Sequence, residues 1–295
     1  MQSLAAIAAQ IAALSGERCA SAPERSVAGG SINRCYRWPA AGGALFVKVV
    51  ARAALAALEA EAAGLAALER TGALRVPRVR AVGSTSDSAF LALEWLESRP
   101  ADADSERRLG AGLAALHAVT APRFGWQRDN TIGRTPQHND WSDDWTEFFR
   151  ERRLRPQLAL AAHNGLAGLG GERSERLLEA LPLLLAGHAP AASLLHGDLW
   201  GGNWLATADG EPAVFDPAVY FGDREADLAM TRLFGGFGAA FYRAYQAVTP
   251  AAPGAALRAD LYNLYHVLNH ANLFGGGYVR QAAALIERLL AQGGR

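Results

Sequence analysis

Residues 194–204 read Leu-Leu-His-Gly-Asp-Leu-Trp-Gly-Gly-Asn-Trp, so His196, Asp198 and Asn203 keep the order H-x-D-x-x-x-x-N. Asp216 follows in Phe-Asp-Pro-Ala. These residue types at this spacing suit phosphoryl transfer. An aspartate takes the proton of an acceptor hydroxyl, while an asparagine and a second carboxylate hold a magnesium ion against phosphate oxygens. An H-x-D triplet alone also occurs in metal hydrolases and as a buried polar pair, so the reading rests on the whole set.

Such a set has to be positioned. Asn203–Thr207 and Pro212–Asp216 are strand-compatible runs around Ala208-Asp209-Gly210-Glu211. If Asp209 and Gly210 are the two central residues of a tight turn, Asn203 faces Asp216 across the ladder. Cβ atoms of such a pair lie roughly 5 Å apart, within reach of one cation. A bulge would move this register by one residue.

Upstream, residues 44–50 (Ala-Leu-Phe-Val-Lys-Val-Val) alternate, with Leu45, Val47 and Val49 on one face and Lys48 between apolar neighbours on the other. A desolvated ammonium needs an anion. The helix predicted over about 53–70 carries Leu55, Leu58, Ala62, Leu65 and Leu68 on one stripe, and Glu61 falls inside that stripe whereas Glu59 does not. Glu61 is therefore the expected partner of Lys48, the arrangement in which a strand lysine grips ATP phosphates; the alternative is an ordinary surface ion pair. Gly29 and Gly30, in the small polar run 26–33, are candidates to bring backbone N–H groups to phosphate, without G-x-G-x-x-G or Walker A spacing. The strand-like run 89–96 ends in Glu94-Trp95-Leu96, a connector whose backbone is a candidate to pair with an adenine edge.

The 295 residues allow one large domain or two lobes, and half of them are apolar. Lysine plus arginine equal aspartate plus glutamate at 29 each, so bulk charge points to neither a nucleic-acid nor a strongly acidic partner. Cys19 and Cys35 form no C-x-x-C pair and no zinc cage, which suits a reducing cytosol. Leu4, Ile7, Ile11 and Leu14 predict an amphipathic first helix instead of a signal peptide, and no run of about twenty apolar residues suggests a membrane span.

The first ninety-odd residues alternate helix and strand. From about 105 the pattern is mainly helical: Leu109, Leu113, Leu116 and Val119 mark one helix, Trp145, Phe148 and Phe149 a second, Leu177, Leu178, Leu181 and Leu184 a third. Tail helices are predicted near 223–234, 237–247, 255–274 and 279–291. His266 and His270 lie one helical turn apart, but without H-E-x-x-H they read as core or pocket histidines. The aromatic segment 124–145 is either a substrate wall or a packed connector.

With HGDLWGGN, FDPAVYFGDREADLAMTRLFGGF and PQHNDWSDDW in view, the chain resembles the fructosamine kinase family (ketosamine or ribulosamine 3-kinases) from GGSINRCYRW near 29 to LNHANLFGGGY near 278. Trp200 after HGDL, and DPA in place of DFG, separate it from protein kinases and from aminoglycoside and choline kinases. The resemblance implies an α+β, bilobal protein-kinase-like fold. Its small mixed lobe would span 1–93, its hinge 94–97 and its mainly helical lobe 98–295, with ATP between the lobes.

The implied reaction is ATP- and Mg2+-dependent phosphorylation of the sugar 3-hydroxyl of ketosamines, on small amines or glycated protein lysines. The unstable product would then return the free amine. On this resemblance Asp198 is the catalytic residue and Asn203 and Asp216 the metal ligands. Gly29, Gly30, Lys48, Glu61, Glu94, Trp95 and Leu96 bind ATP, and Trp200 and His196 meet the substrate. Cytoplasmic location with no nucleic-acid or membrane partner is expected. The rival readings are a kinase for aminoglycoside- or choline-like acceptors and a non-catalytic nucleotide-binding module.

Overall fold

The alternation of residues 44–50 becomes the central strand of an antiparallel sheet in the computed structural model, which describes residues 4–27 and 34–293. Gly29 and Gly30 lie outside the described residues. Helix α1 (Leu4–Ser15) precedes β1 (Arg25–Val27), β2 (Arg34–Ala40) and β3 (Gly43–Ala51). Helix α2 (Leu55–Thr71), β4 (Val79–Ser84) and β5 (Ser88–Glu94) follow, and the strands lie in the order β1-β2-β3-β5-β4.

Leu45, Val47 and Val49 enter a core with Trp38, Phe90 and, from α1, Ile7 and Ile11. Leu14, the last residue of the α1 stripe, stays 54% exposed. On α2 the buried residues include Leu58, Ala62, Leu65 and Leu68, and the helix ends at Gly72, which takes the left-handed conformation that a side chain would strain.

A short strand β6 (Ser98–Arg99) leads to α3 (Ala103–His117), β7 (Thr120–Ala121), β8 (Asn130–Ile132) and β9 (Thr135–Gln137). Next come α4 (Trp145–Phe149), a π-helical turn at Arg150–Leu154, α5 (Arg155–His163), α6 (Glu172–Leu184) and β10 (Ala192–Leu195). Leu109, Leu113 and Leu116 are buried on α3, but Val119 lies beyond the helix end and is 37% exposed. The aromatic segment is held by its own rings: Trp141 stacks on Phe221, and Trp145 packs against Phe124 and Phe149 while donating to Tyr262 Oη at 2.9 Å.

Strands β11 (Trp204–Thr207) and β12 (Pro212–Val214) form the expected hairpin in a different register. Trp204 pairs with Val214 and Leu205 with Ala213, so Asp216 is not the ladder partner of Asn203, which lies outside the strand. The cause is the turn. Thr207 N–H bonds Glu211 O at 2.9 Å and Gly210 N–H bonds Thr207 O at 2.7 Å, giving a three-residue loop with Gly210 at φ +85°. A left-handed glycine closing such a loop is the G1-bulge form, which adds one residue to the tight turn assumed above.

After β13 (Tyr220–Gly222) come α7 (Glu225–Leu233), α8 (Ala239–Val248), α9 (Ala255–Phe274) and α10 (Gly277–Gly293). Contacts divide the chain into two units: residues up to Ser105 together with Trp204–Pro217, and Glu106–Asn203 together with Ala218 onward. The first unit is the small antiparallel-sheet lobe with the β11–β12 hairpin added to β6. The second is the helical lobe, whose α9 buries Leu261, Tyr262, Leu264, Tyr265, Val267 and Leu268. No helix among the described residues is long and apolar enough to cross a membrane.

Candidate active site

In the first unit Lys48 is 5% exposed on β3, and its Nζ lies 2.8 Å from both carboxylate oxygens of Glu61. The third contact of the ammonium is Asp216 Oδ1, also at 2.8 Å. The stripe on α2 thus selects Glu61 because it faces the sheet. Burial alone would lower the Lys48 pKa, but the Glu61 and Asp216 charges outweigh it and hold the group charged, well above its ordinary value. The Glu61 carboxyl is raised above its usual range by burial, against the pull of Lys48, with the Asp216 charge adding to the rise.

Asp216 has φ +53°, the one non-glycine residue with positive φ among the described residues. Backbone held in that region concentrates at functional positions, because surrounding structure must keep it there. Cys35, opposite Lys48 in the ladder, is 3% exposed, and burial pushes its thiol up to about 11, which leaves it unreactive.

The connector is partly committed within the fold. Glu94 N–H bonds Arg78 O at 2.9 Å, Trp95 N–H bonds Ala44 O at 3.2 Å, and the Glu94 carboxylate pairs with Arg75 at 3.2 Å. The Trp95 ring lies beneath the Arg37 guanidinium, 5.3 Å from its centroid. Leu96 is then the connector residue whose backbone N–H is claimed by no other described group.

In the second unit β10 delivers the chain to His196-Gly197-Asp198. Asp227 on α7, 1% exposed, accepts from the N–H groups of His196 at 2.7 Å and Gly197 at 2.9 Å. His117 Nε2 lies 3.2 Å from the same carboxylate, and its Nδ1 lies 2.8 Å from Tyr245 Oη. Burial would raise the Asp227 pKa, but the hydrogen bond and charge of His117 prevail and lower it, so the carboxylate stays ionised. Asp227 was missed in sequence because it reads as one more acid in the amphipathic run of α7.

Gly197 is required by geometry: its φ is +83°, and a Cβ there would sit 2.0 Å from Ala218 O. His196 is 0% exposed, and its Nδ1 accepts from the Asp198 N–H at 3.3 Å. The imidazole is thus buried, with Nδ1 turned to the backbone of the loop. Asn203 donates from Nδ2 to Asp198 O at 2.8 Å and to Asp198 Oδ2 at 3.3 Å, which leaves its Oδ1 for another partner.

Trp200, 39% exposed, meets Phe234 edge-on at 6.2 Å, and Phe234 in turn meets His270 at 4.8 Å. Tyr278 closes this group at 5.0 Å from His270. The result is an aromatic wall beginning two residues after Asp198.

The family model described as fructosamine kinase matches residues 3–292. The chain belongs to the fructosamine kinase family. It is 47% identical to a "probable ketoamine kinase" of Synechocystis sp. over 96% of both chains. It is 41% identical to a chloroplastic protein-ribulosamine 3-kinase of Oryza sativa subsp. indica, over 90% of this chain and 78% of that one. The crystal structure of a "putative fructosamine-3-kinase" of Haemophilus somnus 129PT superposes with TM-score 0.88 at 30% identity, covering 96% of each chain.

A thermostable mutant of aminoglycoside phosphotransferase APH(4)-Ia, solved with AMP-PNP and hygromycin B, shares the fold at TM-score 0.60 and 15% identity, covering 98% of each chain. The fold class is thus the kinase-like one, and family membership makes this chain an ATP-dependent phosphotransferase. The segment PQHNDW belongs to the stretch 124–145, whose placement the sequence left open. Here Gln137 and Asn139 are buried at 1% and 0% exposure, which places this part of the segment inside the unit.

Proposed function

We propose that the chain transfers the γ-phosphoryl group of ATP to the sugar 3-hydroxyl of ketosamines, on small amines or on glycated protein lysines. The observation that carries this reading is Asp198. Its loop is pinned by Asp227, its side chain is held by Asn203, and the half-exposed Trp200 stands beside it. The acceptor oxygen attacks phosphorus, its proton passes to Asp198, and the bond to the ADP oxygen breaks. Trp200 offers a ring face on which a sugar packs.

Lys48, oriented by Glu61, meets the ATP phosphates, joined by the backbone at Gly29 and Gly30, while the connector at Glu94–Leu96 takes the adenine, chiefly through the Leu96 N–H, which no other described group claims. Asn203 Oδ1 and the Asp216 carboxylate, one-third exposed, are the oxygen donors that magnesium prefers and are the residues that would hold it. When bound, that ion supplies charge neutralisation at the phosphates. Loss of the 3-phosphate from the product would return the free amine. Two cysteines with no C-x-x-C spacing fit a cytoplasmic setting, and balanced charge gives no basis for a nucleic-acid partner.

The test measures ADP release against ribulosyl-lysine, fructosyl-lysine, an aminoglycoside and choline in parallel. Turnover with either ketosamine supports the reading. Turnover confined to the aminoglycoside or choline replaces it with the corresponding kinase, and tight ATP binding without any acceptor-dependent release replaces it with a nucleotide-binding module.

A further inference from the structure

A buried polar chain ends on the backbone against which the Asp198 loop packs. Arg153, 0% exposed, donates to His138 O and to Asn139 Oδ1, each at 2.7 Å, and its guanidinium lies 4.0 Å from the Tyr220 ring centroid. Because guanidinium only donates, Asn139 must present its oxygen to Arg153 and its Nδ2 to Asn130 Oδ1, at 3.0 Å. Asn130 Oδ1 also accepts from Gln137 Nε2 at 2.7 Å, so its own Nδ2 is turned to Val219 O at 2.8 Å.

Gln137 is then fully committed. Its second N–H goes to Ala218 O at 3.1 Å, and its Oε1 accepts from Tyr265 Oη at 2.7 Å. Flipping any one of these amides would set oxygen against oxygen, so their orientations follow in sequence from the fixed polarity of Arg153.

The receiving end matters. Ala218 N–H bonds His196 O at 2.9 Å, and its carbonyl occupies the space that a side chain on Gly197 would need. Asp227 holds the loop by its amide N–H groups, and Ala218 holds it from the carbonyl side. Ala218 O is kept in place by Gln137.

We propose that Gln137 is a positioning residue for turnover: through Ala218 it sets the His196–Gly197 backbone that presents Asp198. This rests on the reading of Asp198 as the group that takes the acceptor proton. Buried amide networks satisfied at every member specify one arrangement and lose it when a single donor is removed.

The experiment compares wild type, Gln137→Leu, Asp198→Asn and the double variant, using whichever acceptor wild type turns over. Gln137→Leu should lower kcat at least tenfold and leave KM for ATP within about threefold. In the Asp198→Asn background it should cost less than twofold, because both act on one step. A kcat within twofold of wild type in the folded variant overturns the proposal. So does an equal loss in both backgrounds, the result of mere destabilisation. If Gln137→Leu does not fold, Gln137→Met, of similar length and volume, removes the donor to Ala218 without setting another oxygen against it, and the same criteria decide.

Hydrogen exchange over 196–203 needs no acceptor and so separates this proposal from the substrate assignment. Faster exchange in the variant is the expected result, and unchanged protection rejects it even if ketosamines prove to be substrates.

Discussion

Lys48 Nζ donates to Asp216 Oδ1 at 2.8 Å across 168 positions of sequence while it also holds both oxygens of Glu61 at 2.8 Å. One ammonium therefore serves two carboxylates, and with both ionised the three groups sum to a single negative charge. A cation near Asp216, or phosphate near Lys48, changes that count, which gives the trio a reason to be responsive to ligand.

Lys48→Met leaves two carboxylates facing each other. Removing one partner of a buried pair costs about 3–5 kcal/mol; Asp216 is one-third exposed, so about 2 kcal/mol is expected here. Denaturant unfolding should show this loss at pH 7.5 and a smaller one at pH 5. Without Lys48 the Glu61 carboxyl rises further and its protonation relieves the repulsion. Turnover should fall about a hundredfold or more. A pH-independent difference in stability would contradict the charge argument.

Asp198→Asn should keep the fold and ATP binding but lower turnover by about 10²–10⁴-fold, the usual contribution of a positioned general base. Nucleotide titration alongside ADP release checks both halves, and retained turnover rejects the role given to Asp198.

Gly197→Ala forces a side chain into Ala218 O, at 2.0 Å, on backbone with φ +83°. Its cost should be at least about 3 kcal/mol. Gly187→Ala is the control: φ is +73° but nothing lies within 4 Å of the new Cβ, so only the left-handed penalty of about 1–2 kcal/mol applies. Similar melting temperatures for the two variants would show that the loop can shift away from Ala218.

His266 is 5% exposed, its Nδ1 has no partner among the described residues, and burial, helped by His270, holds its pKa down at about 3. An unfolded histidine titrates near 6.5, so the folded state binds fewer protons below that pH. The stability contributed by neutral His266 is present above about pH 6.5 and is lost as pH falls toward 3, roughly 2 kcal/mol of it by pH 5. His266→Phe should flatten the loss between pH 7 and pH 5 in denaturant titrations; an unchanged slope would assign the acid sensitivity elsewhere.

Much of this organisation was readable because it is local. The two-residue period around Lys48 and the helical stripe through Glu61 each need only a few neighbouring residues to define a face, so the pairing of the two followed from periodicity. The β11–β12 hairpin shows the limit. Its existence was evident from Asp209-Gly210, but the choice between a two- and a three-residue loop depends on where Gly210 takes its left-handed turn, and one residue of difference removed Asp216 from the ladder position facing Asn203. The burial of His196 was likewise not legible, because residue type carries no burial.

By itself the sequence determined the residue types, their order in HGDLWGGN and DPA, and the faces of strand and helix, all set by neighbours within a few positions. Only the tertiary structure decided which distant groups meet. Asp227 bonds the 196–198 loop directly, and Gln137, itself bonded by Tyr265, holds the Ala218 carbonyl that packs against it, from segments 30 to about 70 residues away. A carboxylate or amide can be identified as a clamp only once the buried N–H or C=O it satisfies is known, and burial is a property of the packed chain.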